Sequence, residues 1–367
     1  MKIGIVTIVD YTNYGNRLQN YAVSYVLHNK YGCKVMTLAA HEERAFSDGN
    51  YIAWGKEKFA TCLARIMPAA AEKRFGNNIT RWSNFYNWSK RIPTKHYYGS
   101  KTLPEKLDKE ADLFFAGSDQ IWNYHLVSGE LYNYFLQFAD SNKKAAISGS
   151  FGVDEIPKEW KKVYTDGLSS FSYLSVREDA GQAIIRELLG KDVPVLVDPV
   201  MMLSREEWLK VSKKPRVDCS KPYVLKYYLG DESEGDIIDA WAKKNGYRVY
   251  ELLNDKIPEL YSAGPGEFIS LVSNATLVCS DSFHCIVFAI IFSKPFIVYD
   301  RKGKDDYMSS RLDTLLKKFG LQNRWRHLMG ENEYLNCDYE PVRKLLQAEQ
   351  QKFNDYVSSV LKSKVRR

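Results

Sequence analysis

The stretch Thr276–Arg301, TLVCSDSFHCIVFAIIFSKPFIVYDR, decides how the rest of the chain is read. Thr276–Cys279 is a short β-rich run, and Phe296–Tyr299 is another that ends in Asp300 and Arg301. Between them Phe283–Phe292 is apolar on every face, the composition of a helix buried on all sides. The polar side chains gather at the helix start, where Ser280, Asp281 and Ser282 are N-cap types and His284 falls in the first turn. A strand–helix–strand crossover of this kind presents free backbone N–H groups to the crevice outside the strand ends, where anions bind. A histidine placed there marks one wall of a site.

The N-terminal part repeats the pattern. Lys2–Ile8 reads as a buried parallel strand that ends in the loop Val9–Asn16, with the turn signal NYGN. Arg17–Lys30 has helical apolar spacing closed by Gly32, and Lys34–Leu38 is a second strand. Asn13, Tyr14 and Gly15 therefore sit at the functional edge of a βαβ unit, although no dinucleotide fingerprint is present. Asp112–Ala116 is another strand, followed at once by GSDQIWN. There Gly117 lets the backbone approach a ligand, Ser118, Asp119 and Gln120 offer a hydroxyl, a carboxylate and an amide, and Trp122 is expected to stack on a sugar face. Strands at Lys144–Ser148, Tyr173–Arg177 and Pro194–Val197 end in Ser148 and Ser150, in Arg177, and in Asp198.

A charged, proline-punctuated segment then precedes a second α/β unit: strand Tyr223–Leu229, helix Gly235–Asn245, strand Tyr247–Leu252 and the stretch first quoted. Lys226 lies inside its first strand, either as an edge-facing lysine or as a donor-binding one. The expected domains are 1–205 on the acceptor side, with a helical excursion over 41–98; a linker at 206–222; 223–335 on the donor side; and a C-terminal helix with a basic tail at 336–367. This is an α/β, GT-B-like architecture, two doubly wound parallel-sheet (Rossmann-like) domains facing a central cleft.

At 367 residues, two domains are also what chain length suggests. The net charge of +7 is modest and dispersed except at Lys302–Lys304 and at the tail Lys362, Lys364, Arg366, Arg367. It suits an anionic small substrate or peripheral contact with the negative inner face of a membrane, and argues against nucleic acid, whose readers concentrate charge in a stripe. Met1-Lys2 leads straight into a strand and no run of about 18 apolar residues occurs, so a cytoplasmic protein is expected. The six cysteines show no CxxC spacing, and neither a structural metal nor a cofactor is expected. His28, His41, His96, His125 and His327 are isolated in sequence and carry no assigned role.

Several motifs coincide at this point. IGIVT…NYGNRLQNYA, GSDQIWN, SGSFG, SVRED, LVDPVMML and SDSFHCIVFAIIFSKPFIVYDR, with SSRLDTLL behind it, resemble the polysaccharide pyruvyl transferase family in order, from Ile3 to about Leu321. The resemblance implies a GT-B-like fold and transfer of the pyruvyl group of phosphoenolpyruvate, as co-substrate, onto two sugar hydroxyls as a cyclic ketal. The acceptor would belong to a surface polysaccharide precursor, often lipid-linked. Some members of the family carry Arg-Leu-His where this chain has Ser282-Phe283-His284, so an arginine expected to bind the donor is replaced by Ser282, and Arg301 or Arg311 would have to stand in for it.

The chemistry of the residues agrees. A small trianion needs fixed positive charge, and Arg177 offers a bidentate contact; it is alternatively a structural partner of Glu178 or Asp179. Protonating an enol methylene needs an acid with a pKa near neutrality, for which His284 is the choice, with Asp119 as base for the attacking hydroxyl. His284 is alternatively a core histidine bonded to Asp281 or a carbonyl. Two other functions fit parts of the pattern: a GT-B glycosyltransferase using a nucleotide sugar, and a non-catalytic glycan-binding protein.

Overall fold

The computed structural model describes residues 1–42, 51–230, 235–303 and 310–365. Lys304, Ser309 and the tail arginines Arg366 and Arg367 lie outside the described residues. The N-terminal unit opens with β1 (Lys2–Val6), α1 (Tyr14–Asn29) and β2 (Lys34–His41). The helices α2 (Tyr51–Ile66), α3 (Pro68–Phe75) and α4 (Asn77–Ser89) follow, then β3 (Thr94–Tyr98) and β4 (Leu113–Ala116). Two short helices, α5 (Tyr124–Val127) and α6 (Leu131–Tyr134), precede β5 (Lys144–Ala146), α7 (Lys158–Ser169) and α8 (Asp179–Leu189). The sheet is parallel throughout, in the order β3-β2-β1-β4-β5. Parallel bridges Ala145–Tyr173 and Val176–Val195 extend it through the two segments expected as strands, which stay too short to form full ladders.

The helix α9 (Arg205–Lys210) leads into the C-terminal unit: β6 (Tyr223–Tyr227), α10 (Gly235–Lys244), β7 (Arg248–Glu251), α11 (Pro258–Tyr261), α12 (Pro265–Asn274), β8 (Leu277–Ser280), α13 (Phe283–Ile291), β9 (Phe296–Val298) and α14 (Ser310–Phe319). This second sheet is also parallel, ordered β7-β6-β8-β9. The crossover β8–α13–β9 is the stretch quoted at the outset, and Phe283–Ile290 is buried along its whole length. The last helix, α15 (Glu340–Val365), returns to the first unit, where Tyr356 Oη donates to Ala146 O at 2.6 Å and Gln350 Nε2 to Met201 O at 2.6 Å. Two doubly wound parallel-sheet units closed by a returning helix make the fold GT-B-like.

One hydrophobic core runs through both units, from Ile3 and Leu18 to Phe268, Phe288 and Phe353. Three sequence-level expectations change here. The 41–98 excursion is not helical throughout, because Thr94–Tyr98 pairs in parallel with β2 as the edge strand. Nor is 206–222 a plain linker: Ser204 and Glu207 form a capping box, and Trp208 is fully buried with its ring edge-on to Phe288, 4.9 Å between centroids. NYGN is no turn either, since Asn13 caps α1 by accepting the Asn16 N–H at 3.1 Å and Tyr14–Asn16 form its first turn. Asparagine and glycine signal turns and helix starts alike, and only the apolar face from Tyr14 onward separates the two. Among the described residues no helix is long and apolar enough to cross a membrane.

Candidate active site

The carboxyl edges of the two sheets meet at the start of α13. Ser280 and Asp281 serve the local loop rather than a ligand: Ser280 Oγ donates to Tyr227 O, and Asp281 accepts the Leu229 and Gly230 N–H groups, both at 2.8 Å. Ser282 is the N-cap residue of α13, but its side chain makes no capping bond. His284 is buried and faces neither Asp281 nor a carbonyl. Its Nε2 lies 3.4 Å from Asp198 Oδ2, outside hydrogen-bond geometry, and has no hydrogen-bond partner. The helix α1 comes against the imidazole face at Gly15, where any Cβ would overlap the ring. Gly15 is therefore a contact position, required to be glycine by the closeness of two domains.

Asp198, at the end of the segment PVLV, binds both halves of the cluster together. Its Oδ2 accepts from Arg177 Nη1 at 2.6 Å and from Ser118 Oγ at 3.2 Å, while Oδ1 accepts the Val200 N–H at 2.9 Å. Burial disfavours its charge, but His284, Arg177 and the Val200 N–H prevail and hold the carboxyl well below the usual carboxylate range. Arg177 is equally enclosed. Besides Asp198 it has Asp119 at 3.6 Å and Glu178 at 3.9 Å, and its guanidinium lies 4.4 Å from the centre of the Phe283 ring. Burial works against its charge and the three carboxylates sustain it. Arg177 is thus a partner of Glu178 as well as of Asp119 and Asp198: Nη1 serves Asp198, while Nε and Nη2 have no hydrogen-bond partner.

Asp119 takes a left-handed backbone conformation, φ 73°. This turn directs its carboxylate toward Arg177 on one side and Asn16 Nδ2, at 3.4 Å, on the other. Burial raises its pKa, but Arg177, His284 and Arg311 outweigh that and hold it below the ordinary value. Arg311, at the start of α14, is buried, and its pKa is lowered to about 10 by burial and by the like charges of Arg177 and Arg301. Arg301 Nη2 donates to Asp281 O at 3.2 Å, and its Nε is 3.5 Å from Asp281 Oδ2. Three guanidiniums and a histidine thus crowd the N-terminus of one helix.

Other expected site residues are placed differently. Trp122 is fully buried, packs on Phe151 and Phe171, and donates its indole N–H to Tyr134 O at 3.3 Å, so it cannot stack on a sugar. Tyr14 is also fully buried and joins the two domains: its hydroxyl donates to Ala263 O at 2.7 Å and its ring stacks on Phe268. Lys226 Nζ bonds Asp239 of α10 at 3.2 Å, on the sheet face opposite the neighbouring Leu225 and Tyr227, and is not brought to the cluster. Ser118, Ser148 and Ser150 are interior supports, bonding Ser148 O, Val197 O and Glu178 Oε1 respectively. Asn13 and Gln120 do reach open space. With Asp10, Asn16, His41, Asp119, Glu130 and Tyr134 they line a cleft of about 380 Å³ at the carboxyl ends of β1, β2 and β4.

Asp198 ends a strand in the sequence without an assigned role, and in the structure it caps the turn that follows by accepting the Val200 N–H. It is also the pivot of the cluster. Among the described residues no group of His, Cys, Asp and Glu is arranged to hold a metal ion.

No curated protein matches the chain. Among solved structures it is similar to a putative UDP-N-acetylglucosamine 2-epimerase from Listeria monocytogenes, 7% identical over 99% of this chain and 98% of that one, with a TM-score of 0.52. It is also similar to UDP-GlcNAc 2-epimerases from Methanocaldococcus jannaschii (14% identity, 95% and 92% covered, TM-score 0.47) and Neisseria meningitidis (11%, 97% and 100%, 0.46). At such identities the likeness is one of fold. The family model described as polysaccharide pyruvyl transferase matches residues 13–303, which takes in Gly15, Asp119, Arg177, Asp198 and His284, and the chain belongs to that family of transferases.

Proposed function

We propose that this transferase moves the pyruvyl group of phosphoenolpyruvate onto two hydroxyls of a sugar, as a cyclic ketal, with His284 as general acid. The acceptor belongs to a surface polysaccharide or its lipid-linked precursor. The observation that carries this reading is the gathering of His284, Arg177, Arg301 and Arg311 at the start of α13, against ionised Asp198 and Asp119. The mutual repulsion that lowers Arg311 is relieved by a small polyanion, and phosphoenolpyruvate carries a carboxylate and a phosphate three atoms apart. The buried Nε and Nη2 of Arg177 and Nε2 of His284 offer donors to it.

In this reading His284 gives its proton to the enol methylene, and the adjacent carbon becomes oxocarbenium-like. The first sugar hydroxyl attacks that carbon and passes its proton to Asp119. Loss of phosphate renews the electron-poor carbon, and the second hydroxyl closes the ring. Of the two hydroxyl protons, one makes good the proton spent on the new methyl group and the other leaves with inorganic phosphate, so the site returns to its starting state. Asp198 lies beside the imidazole, 3.4 Å from Nε2, as its counter-charge when it is protonated, and the guanidiniums stabilise the leaving phosphate. The missing arginine at Ser282 is covered by Arg311, which approaches the same Phe283 ring as Arg177, at 5.8 Å from its centre.

The test is phosphate release from phosphoenolpyruvate in the presence of a panel of glycan acceptors. Acceptor-dependent release is expected, falling by about 10²–10⁴-fold in His284→Ala with the fold intact by circular dichroism. Stabilisation by nucleotide sugars but not by phosphoenolpyruvate would overturn the proposal.

A further inference from the structure

The cleft of about 380 Å³ beside the cluster has a charge pattern of its own. Its lining includes three carboxylates, Asp10, Asp119 and Glu130, and no lysine or arginine among the described residues. Amides and hydroxyls, from Asn13, Asn16, Gln120, Asn133, Thr7 and Tyr134, share the rest of the lining with apolar side chains such as Ile8, Leu38 and Leu126. Two of the carboxylates are fixed by bonds within the protein. Asp10 Oδ1 accepts the Thr12 N–H and hydroxyl, both at 2.7 Å, and Glu130 Oε2 accepts from Tyr134 Oη at 3.0 Å.

Cations are kept from the lumen in two ways. The Arg17 guanidinium is fully buried behind the lining, donating to Asn16 Oδ1 and to Ile8 O, so its charge acts on Asp10 and Asp119 without entering the lumen. His41, the one lining residue able to become cationic, shares a 2.9 Å hydrogen bond with His96, which in turn meets the Tyr11 hydroxyl at 3.3 Å. Burial lowers the pKa of both histidines, against the pull of Glu130 on His41, and in His96 the neighbouring His41 and Arg17 add to it, which disfavours a charge on the pair.

We infer that this cleft holds the acceptor sugar and selects it by charge, accepting a neutral or amino-bearing pyranose and rejecting a uronic acid or phosphorylated sugar. This rests on the transferase reading above, and sharpens it: the two substrates are sorted electrostatically, the polyanionic donor to the guanidinium side and the uncharged acceptor to the carboxylate side. Asp119 stands at the boundary, lining the cleft while ion-paired to Arg177. A pyranose ring with its hydroxyls fits a cleft of this volume, and alternating carboxylate and amide oxygens are the acceptors that ring hydroxyls or an ammonium group require. A carboxylate on the sugar would face the half-buried Asp10 and the exposed Glu130, and like charges at that distance repel, more strongly at low salt.

The experiment measures binding, by calorimetry or ligand-observed NMR, of methyl glycosides that differ at one group: a neutral hexoside, its 2-amino analogue and its 6-carboxylate. No phosphoenolpyruvate is added, so the result does not depend on the transfer reaction. The neutral and amino glycosides are expected to bind at least about tenfold more tightly than the uronoside. Glu130→Gln, which keeps the partner of Tyr134, should narrow that gap to within about threefold; Asp10→Asn provides an independent second removal of charge. Uronoside binding equal to or tighter than neutral binding in the wild type, or an unchanged ratio in both variants, would overturn the inference. Selective sugar binding with no phosphate release would instead leave the sorting intact and sink the pyruvyl-transfer reading.

Discussion

The cleft beside β1 and the cluster at the start of α13 share Asp119, yet they hold charge in opposite ways. In the cleft the charged lining groups are carboxylates, and two of them, Asp10 and Glu130, are held by uncharged hydroxyl and backbone N–H partners, while Asp119 is shared with Arg177. In the cluster Arg177 sits among three carboxylates, and Asp198 serves both Arg177 and His284. Such a network is all or nothing: each group is tolerable in the interior only while its partner is present. The cleft is built the other way, so single changes there should alter selectivity and leave the fold alone. The difference separates an interlocked ionic cluster from a cleft whose side chains are individually replaceable.

The strongest way to break the comparison is Asp198→Asn. It strands the buried Arg177 guanidinium, and should cost about 3–5 kcal/mol of stability and lower activity by about 10³-fold or more. Chemical denaturation and phosphate release would measure both. The same variant sharpens the acid behaviour. Asp198 and Asp119 are held below the ordinary carboxylate range although burial opposes it, so near pH 4 the folded protein binds fewer protons than the unfolded chain. Their stabilisation is complete above the unfolded value of about 4 and drains away as pH falls through the lowered values. Asp198→Asn should therefore show a shallower loss of stability below about pH 4 than the wild type; an identical acid limb would contradict the network.

Gly15→Ala comes next. A methyl group there must displace the His284 ring, and a shift of about 1 Å in a reacting group costs about 10²-fold in rate. Activity should drop by that order with a stability loss of only about 1–3 kcal/mol, as steady-state kinetics and thermal melting can establish. Trp122→Phe is the mildest. With the indole in the core, the change should cost about 1–2 kcal/mol in melting experiments and leave the acceptor KM within twofold. A large rise in KM would restore the sugar-stacking role.

The fold was largely legible because its signals are local. Continuous apolar runs such as Phe283–Phe292, bounded by caps and by Lys294-Pro295, specify buried helices and parallel strands without reference to anything distant. Edge strand β3 escaped because Thr94–Tyr98 is polar and half exposed, with pairing on one side supplied by β2. The site was legible by position but not by role. Trp122 and Asp198 both follow strands, and nothing in their neighbours along the chain tells that one turns inward to Phe151 and Phe171 while the other meets an arginine 21 residues before it.

The sequence by itself determined two parallel α/β units, polar residues at the strand ends of each, and a histidine at the start of a fully buried helix, since these follow from periodicity and capping within short windows. Tertiary structure alone decided which side chains became partners. Asp198 reaches His284 across 86 positions, Gly15 is pressed against the same ring by the packing of α1, and His41 meets His96 only because β2 and β3 lie side by side. Ion pairing and steric contact depend on distances in space, and those distances are set by how the two sheets pack through their common core.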